Sequence, residues 1–184
     1  NALWYHAISF SLEMAKAAGD KKFINKWESV PFSLKTAFKE MFWDENKGYL
    51  ADSCDDKVKD WSFRPNQIFA TALKYSVCDK EMSKSILEKV ECNLLTPKGL
   101  RTLSKDDEKY IGVYYGDQKT RDHSYHQGIV WPWLLGHFAQ GYINVFRDKA
   151  LPLLEKIYNE FNSDIEDYGV GSIGEIFDAE PPFA

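Results

Sequence analysis

Trp131-Pro-Trp-Leu-Leu-Gly-His-Phe-Ala-Gln-Gly-Tyr-Ile143 repeats its apolar side chains at helical spacing. Trp131, Leu134, Leu135, Phe138, Tyr142 and Ile143 fall on one stripe, and Pro132 sits near the start, where a missing N–H is tolerated. The same period recurs on both sides. Upstream lie stripes at Leu3–Ala15, Phe23–Phe42, Ile68–Tyr75 and Ile86–Leu94, and downstream one at Leu151–Phe161. Gly19 is placed to cap the first, Pro31 to break the second, and Pro97 and Gly99 to end the fourth. No segment alternates apolar and polar residues long enough to read as a strand, so the expectation is an all-α fold.

The connections set the architecture. Short links follow the first, third and fifth stripes, near Gly19, Asp79 and Arg147, and make antiparallel helical hairpins. The links at about 44–63, 96–129 and 164 onward are long, and long ordered loops are usually functional. All three then fall at one end of the stack. The starts Leu3, Pro65 and Pro132 repeat every 60–70 residues or so. Hairpins in series build an open solenoid or a closed toroid. A toroid of six hairpins needs about twice 184 residues, so the expectation is a single partial domain, 1–184, forming about half of one.

Composition narrows the function. The chain is 44% hydrophobic and 28% charged, which suits a globular domain, and its formal charge of −5 argues against nucleic acid. The longest apolar run, Gly128–Gly136, is far short of the roughly 18 residues of a membrane span, and the opening residues do not read as a secretory leader. Cys54, Cys78 and Cys92 are odd in number and far apart, and no Asn-x-Ser/Thr acceptor occurs, which fits a reducing cytoplasm. Six Trp, ten Tyr and twelve Phe make 15% aromatics. Beside Asp, Glu, His and Asn, they suit a site that stacks on sugar faces and bonds hydroxyls.

Each long loop ends in a polar-aromatic segment. These are Trp61–Gln67; Gly116–Gly128 running into Trp131-Pro-Trp133; and Gly171–Phe183. Glycoside hydrolysis needs two carboxyl groups, and Asp117, Asp122, Glu175, Asp178 and Glu180 are candidates. Glu175 is the sharpest, because Gly174 precedes it and an apolar pair follows. Each also reads as a cap, a turn residue or a partner of arginine. His123 and His126 lack a third ligand at metal spacing, so no metal or cofactor is expected. Gly169-Val-Gly-Ser-Ile-Gly174 has the glycines of a phosphate loop without the strand and helix around it.

Asn1-Ala-Leu-Trp-Tyr5, Arg64-Pro-Asn-Gln67, Thr96-Pro-Lys-Gly-Leu-Arg-Thr-Leu103, Asp122-His-Ser-Tyr-His-Gln-Gly-Ile-Val-Trp-Pro-Trp133 and Ser172-Ile-Gly-Glu-Ile-Phe-Asp178 together resemble the C-terminal amylo-α-1,6-glucosidase domain of glycogen debranching enzymes. Order and spacing match over essentially the whole chain, and the 122–133 run is the specific part. The resemblance implies an (α/α)6 barrel that trims single α-1,6-linked glucose stubs from glycogen-like glucans with inversion. It implies Glu175 as general base and a glucose pocket at Tyr125, His126, Gln127 and Trp131, with Arg64, Asn66 and Gln67 as further substrate-binding residues. It places the general acid in a tryptophan-rich segment before Asn1, so residues 1–184 would be the C-terminal part of the domain.

Two rival readings stand beside this one. A sugar epimerase on the same toroid would use His123 or His126 as acid and base. A non-catalytic helical module would show regular repeats and short loops, unlike these. Half a toroid also leaves an apolar edge, expected to be covered by another copy or by the remainder of the same chain, and residues 1–184 alone are expected not to hydrolyse α-1,6-glucosides.

Overall fold

Several apolar stripes begin or end at a capping residue or a proline, and the computed structural model describes residues 1–55, 58–167 and 171–183. Helix α1 (Ala2–Ala18) stops at Gly19, whose φ of 71° is left-handed, and the Asp20 N–H donates back to the Ala15 carbonyl at 2.9 Å. Asp20 then starts α2 (Lys21–Trp27) by accepting from the Phe23 N–H at 3.0 Å. The second stripe breaks just before Pro31, which enters the first turn of α3 (Val30–Phe42). Two further stripes become α5 (Lys80–Leu94), capped by Asp79, and α7 (Leu135–Phe146). The last becomes α8 (Leu151–Asn159).

The third stripe is shorter than its sequence suggests. Pro65–Gln67 forms one 3-10 turn, α4 spans only Ile68–Ala72, and Leu73 is already extended. Two helices carry no apolar stripe to read: α6 (Gln118–Ser124), capped by Asp117, and α9 (Asn162–Asp167).

Helix dominates, at 56% against 10% strand, but the expectation of no strands is corrected. Strands β1 (Trp43–Asp44) and β2 (Tyr49–Leu50) pair antiparallel, as do β3 (Ser53–Cys54) and β4 (Lys59–Asp60). A three-stranded antiparallel sheet runs β5 (Leu95–Thr96), β6 (Gly99–Arg101), β7 (Val130–Trp131), with Leu100 opposite Trp131. Pairs of two or three residues have no period to detect in sequence. Trp131 therefore lies in a strand, and the helix behind it begins only after a 3-10 turn at Pro132–Leu134.

The core lies where α4, α5 and α7 meet. Ile68, Ile86, Leu87, Val90, Leu94 and Phe138 are fully buried there. Helix α4 packs against both α1 and α7, and α5 seats against α4 and α7. The starts of α4 and α7 face one cleft, lined by Arg64, Pro65, Asn66, Trp131, Trp133 and Leu134. Two of the long loops thus meet at this cleft.

Gly128 decides how the second loop enters this sheet. Its φ is 149°, and a Cβ there would collide with the Ile111 carbonyl. Around it, the Gly128 N–H donates to Thr102 Oγ1 at 2.8 Å, and the Thr102 N–H donates to the Ile129 carbonyl at 3.1 Å. Gly128→Ala is expected to cost about 2–4 kcal/mol from backbone strain and overpacking together. Gly19→Ala, strained but with open space around it, is expected to cost about 1 kcal/mol. Urea unfolding midpoints check both; equal shifts would remove the steric argument at Gly128.

Candidate active site

Arg64 is positioned by the extended backbone just before Pro65, and its guanidinium ties the first long loop to two segments of the second. One terminal nitrogen donates to the Thr102 carbonyl at 3.1 Å and the His126 carbonyl at 2.7 Å; the other donates to Gln127 Oε1 at 2.8 Å. Its Nε lies 3.9 Å from Asp52 Oδ2. Asn66 is exposed to the cleft and donates to Asp52 Oδ1 at 2.8 Å. Gln67 is buried, donating to the Arg64 carbonyl and accepting from the Leu50 N–H, so its amide works within the fold. It lines a smaller neighbouring pocket of about 190 Å³, not the main cleft.

The main cleft has a volume of about 730 Å³. Asp52, Asp60, Asp122, His123, His126, Gln127, Trp131 and Trp133 contribute to its wall. The His126 imidazole lies flat over Trp131, with ring centres 5.4 Å apart and planes 14° apart. Tyr125 meets both rings edge-on, Trp131 at 4.7 Å and His126 at 4.9 Å. The Trp131 indole N–H donates to the Tyr125 carbonyl at 3.1 Å, which fixes the indole's rotation. Tyr125, His126, Gln127 and Trp131 are thus brought together at the cleft as one group.

Glu175 arrives from the last loop. Backbone hydrogen bonds in both directions join Phe177 to Val130, at 2.9 and 3.0 Å, next to Trp131. Glu175 is exposed and does not line the cleft itself; it meets the group at Tyr125. Burial raises the Tyr125 hydroxyl's pKa, and the Glu175 charge raises it further. The Gly169-Val170 part of the glycine-bearing stretch lies outside the described residues.

The other sequence candidates are held by structural bonds. Asp117 caps α6, accepting from the Thr120 N–H and hydroxyl at 2.9 and 2.7 Å, and these bonds hold its pKa low. Asp178 accepts from the Tyr114 N–H at 2.7 Å. Glu180 accepts from Lys105 at 2.8 Å and from the Tyr110 hydroxyl at 2.6 Å. Asp122 and His123 do face the cleft. Among the described residues, no cluster of three His, Cys, Asp or Glu side chains has metal-binding spacing.

The sequence model of the amylo-alpha-1,6-glucosidase family matches residues 1–184, the whole chain. The chain belongs to that family. It is therefore a domain related to glycogen debranching enzymes, of the glycoside hydrolase kind, and its chemistry is that of carbohydrate metabolism. Among the described residues no helix is long and apolar enough to cross a membrane.

Asp52 and Asp60 are cleft carboxylates of this family member that sequence reasoning missed. Asp60 is kept ionised, first by bonds from the Ser62 N–H and hydroxyl and then by the Arg64 charge. A readable signal existed for Asp60, since Asp-x-Ser is a common turn. None existed for Asp52, whose partners lie 12 and 14 residues on.

The Glu180 anchor gives a pH test. Bonds from Lys105 and Tyr110 lower its folded pKa below the ordinary 4.5. A depressed acid contributes stability that is complete above its unfolded pKa and lost as pH falls through the folded one. The domain is expected to weaken below about pH 4.5, and Glu180→Gln to flatten that part of the curve. Urea midpoints from pH 6 down to 3 decide it; parallel curves for the two proteins would reject the anchor.

Proposed function

We infer that this family member carries the base side of an inverting α-1,6-glucosidase that removes single glucose stubs from glycogen-like, branched α-glucans. The observation that carries the reading is Glu175 beside Tyr125, in a group with His126 and Trp131 at the cleft wall. In that reading a glucose stacks on the aromatic group. Gln127 and Asn66 offer bonds to its hydroxyls, and Arg64 holds the two loops that present them. Glu175 takes a proton from the attacking water, and a second carboxyl, placed by the resemblance before Asn1, protonates the leaving oxygen. Inversion requires the two carboxyls to stand about 6.5–9.5 Å apart, leaving room for that water.

The packing of α1 on α4 and of α4 on α7 supports an arc of an (α/α)6 barrel, with α3 and α5 outside it. The two 3-10 turns open α4 and α7 toward the cleft, as loops at the mouth of such a barrel would. A glycogen substrate favours a cytoplasmic setting.

Glu175→Gln in the intact enzyme is expected to lower kcat by about 10²–10⁴-fold and leave KM nearly unchanged. Release of glucose from an α-1,6-branched oligosaccharide is the assay. A variant within about threefold of wild type would take Glu175 out of the mechanism, and an epimerised sugar in place of glucose would favour His123 or His126 as acid and base.

The stacking role is tested at Trp131. Trp131→Ala is expected to raise KM at least tenfold, since ring stacking and the fixed Tyr125 carbonyl are both lost. Its melting curve must accompany the kinetics, because Trp131 also pairs with Leu100 in the sheet. Weakened glucose binding at an unchanged Tm supports the pocket; a Tm collapse that alone accounts for the lost activity assigns Trp131 to the sheet.

A further inference from the structure

The hairpin Thr96-Pro-Lys-Gly-Leu-Arg101 stands behind the cleft wall, where Leu100 pairs with Trp131, and its side chains reach the loop of Glu175 from both sides. Lys98 sits at its turn, only 12% exposed, and Asp164 of α9 is 7% exposed. Lys98 Nζ donates to Asp164 Oδ2 at 2.6 Å and to the Glu160 carbonyl at 2.6 Å. The same ammonium lies 5.6 Å from the Phe161 ring and 6.0 Å from the Phe177 ring. Those two rings meet edge to face at 6.4 Å. Phe161 and Asp164 precede Glu175, and Phe177 follows it. On the far side, Arg101 donates to the Ala179 carbonyl at 3.0 Å.

We propose that Lys98 is a positioning residue for Glu175: its buried ammonium clasps α9 to Phe177 and so sets where the carboxylate stands against Tyr125 and the glucose pocket. The proposal rests on Glu175 being the base. The physical case is economy of contact. A lysine this buried needs partners for its N–H groups; its two acceptors, the Glu160 carbonyl and Asp164, and the Phe161 ring lie before Glu175, and the Phe177 ring lies after it. Two aromatic faces around the ammonium add cation–π attraction in a site with little water. A flexible stem alone would not hold a loop carboxylate to the tolerance general-base catalysis needs, and a misplacement of about 1 Å can cost roughly 10²-fold in rate. Asp178, bonded to the Tyr114 N–H, and Glu180, bonded to Lys105 and Tyr110, fix only the stem after Glu175. Lys98 joins the two stems with a buried charge, beside the direct ring contact of Phe161 with Phe177.

The experiment uses the intact enzyme and glucose release from an α-1,6-branched oligosaccharide, well below every variant's Tm. Lys98→Met keeps the stem and removes the charge. It is expected to lower kcat about 10–100-fold with KM within threefold of wild type, because the pocket at Tyr125, His126 and Trp131 is untouched. Should the orphaned Asp164 prevent folding, Lys98→Met/Asp164→Asn leaves no buried charge, and the same kcat loss is expected. A lowered Tm with wild-type kcat, in either variant, would make the pair structural only and overturn the proposal. So would equal changes in KM and kcat for Lys84→Met, an exposed lysine, and Lys98→Met. An active Glu175→Gln enzyme would refute the base assignment instead, whatever Lys98 does.

Discussion

Two backbone hydrogen bonds between Val130 and Phe177 hold the rest of the site in register. They add the last loop as a further edge to the strand that carries Trp131, whose other neighbour is β6. A side chain's bond can be remade with another rotamer; a bridged backbone pair cannot slip by one residue without turning Phe177 out of its buried place against Phe161. Because Trp131 follows Val130 and Glu175 precedes Phe177 by two, one pairing fixes the aromatic wall and the carboxylate relative to each other. Buried Phe177 and fully buried Ala179 secure the pairing by apolar burial on the same strand of chain.

Arg64 solves the complementary problem on the other side of the cleft. Loops approach one another at the mouth with their carbonyls unpaired, and an unpaired carbonyl away from water is costly. A planar guanidinium with five N–H groups can serve several acceptors at once in a fixed geometry. Here it serves the carbonyls of Thr102 and His126 and the amide oxygen of Gln127. Its contribution to the site is thus the shape of the loops that present Gln127 and His126. A lysine could not reproduce that fork, since its point charge has no fixed plane.

What was legible in the sequence follows from how far apart the cooperating residues lie. Helix α1 and its Gly19 stop are local, as is the break before Pro31, and the sequence pattern gives them directly. Helices α6 and α9 are polar and short, so only the Asp117 cap hints at one of them. The strands escape because pairs such as Thr96 with Gly99, or Arg101 with Val130, are too short to show alternation. In the site, Tyr125, His126, Gln127 and Trp131 lie within seven residues and read as one segment. Arg64 reaches partners 38, 62 and 63 residues away, two of them backbone carbonyls that leave no trace in residue identity. Its motif is visible in the sequence, but its partners are not.

The carboxylates sort themselves by how many bonds they accept. A carboxylate that accepts strong hydrogen bonds is stabilised as the anion and gives or takes a proton poorly, because its lone pairs are already engaged. Asp60 and Asp117 are of that kind, each held by a serine or threonine two or three residues on. Asp52 is shared between Asn66 and Arg64, and Glu180 between Lys105 and Tyr110. Such groups shape a loop. Glu175 is exposed as Asp60 and Asp117 are, but its described neighbour is a tyrosine hydroxyl, not a cation or a turn N–H, and its stem is fixed by the pairing of Phe177 with Val130. A general base needs that combination: a lone pair left open to water, on a backbone that does not move. Fixing the loop while leaving the carboxylate open requires the anchoring charges to be spent elsewhere. Lys98, Arg101 and Lys105 are all spent on neighbours of Glu175 and none on Glu175 itself.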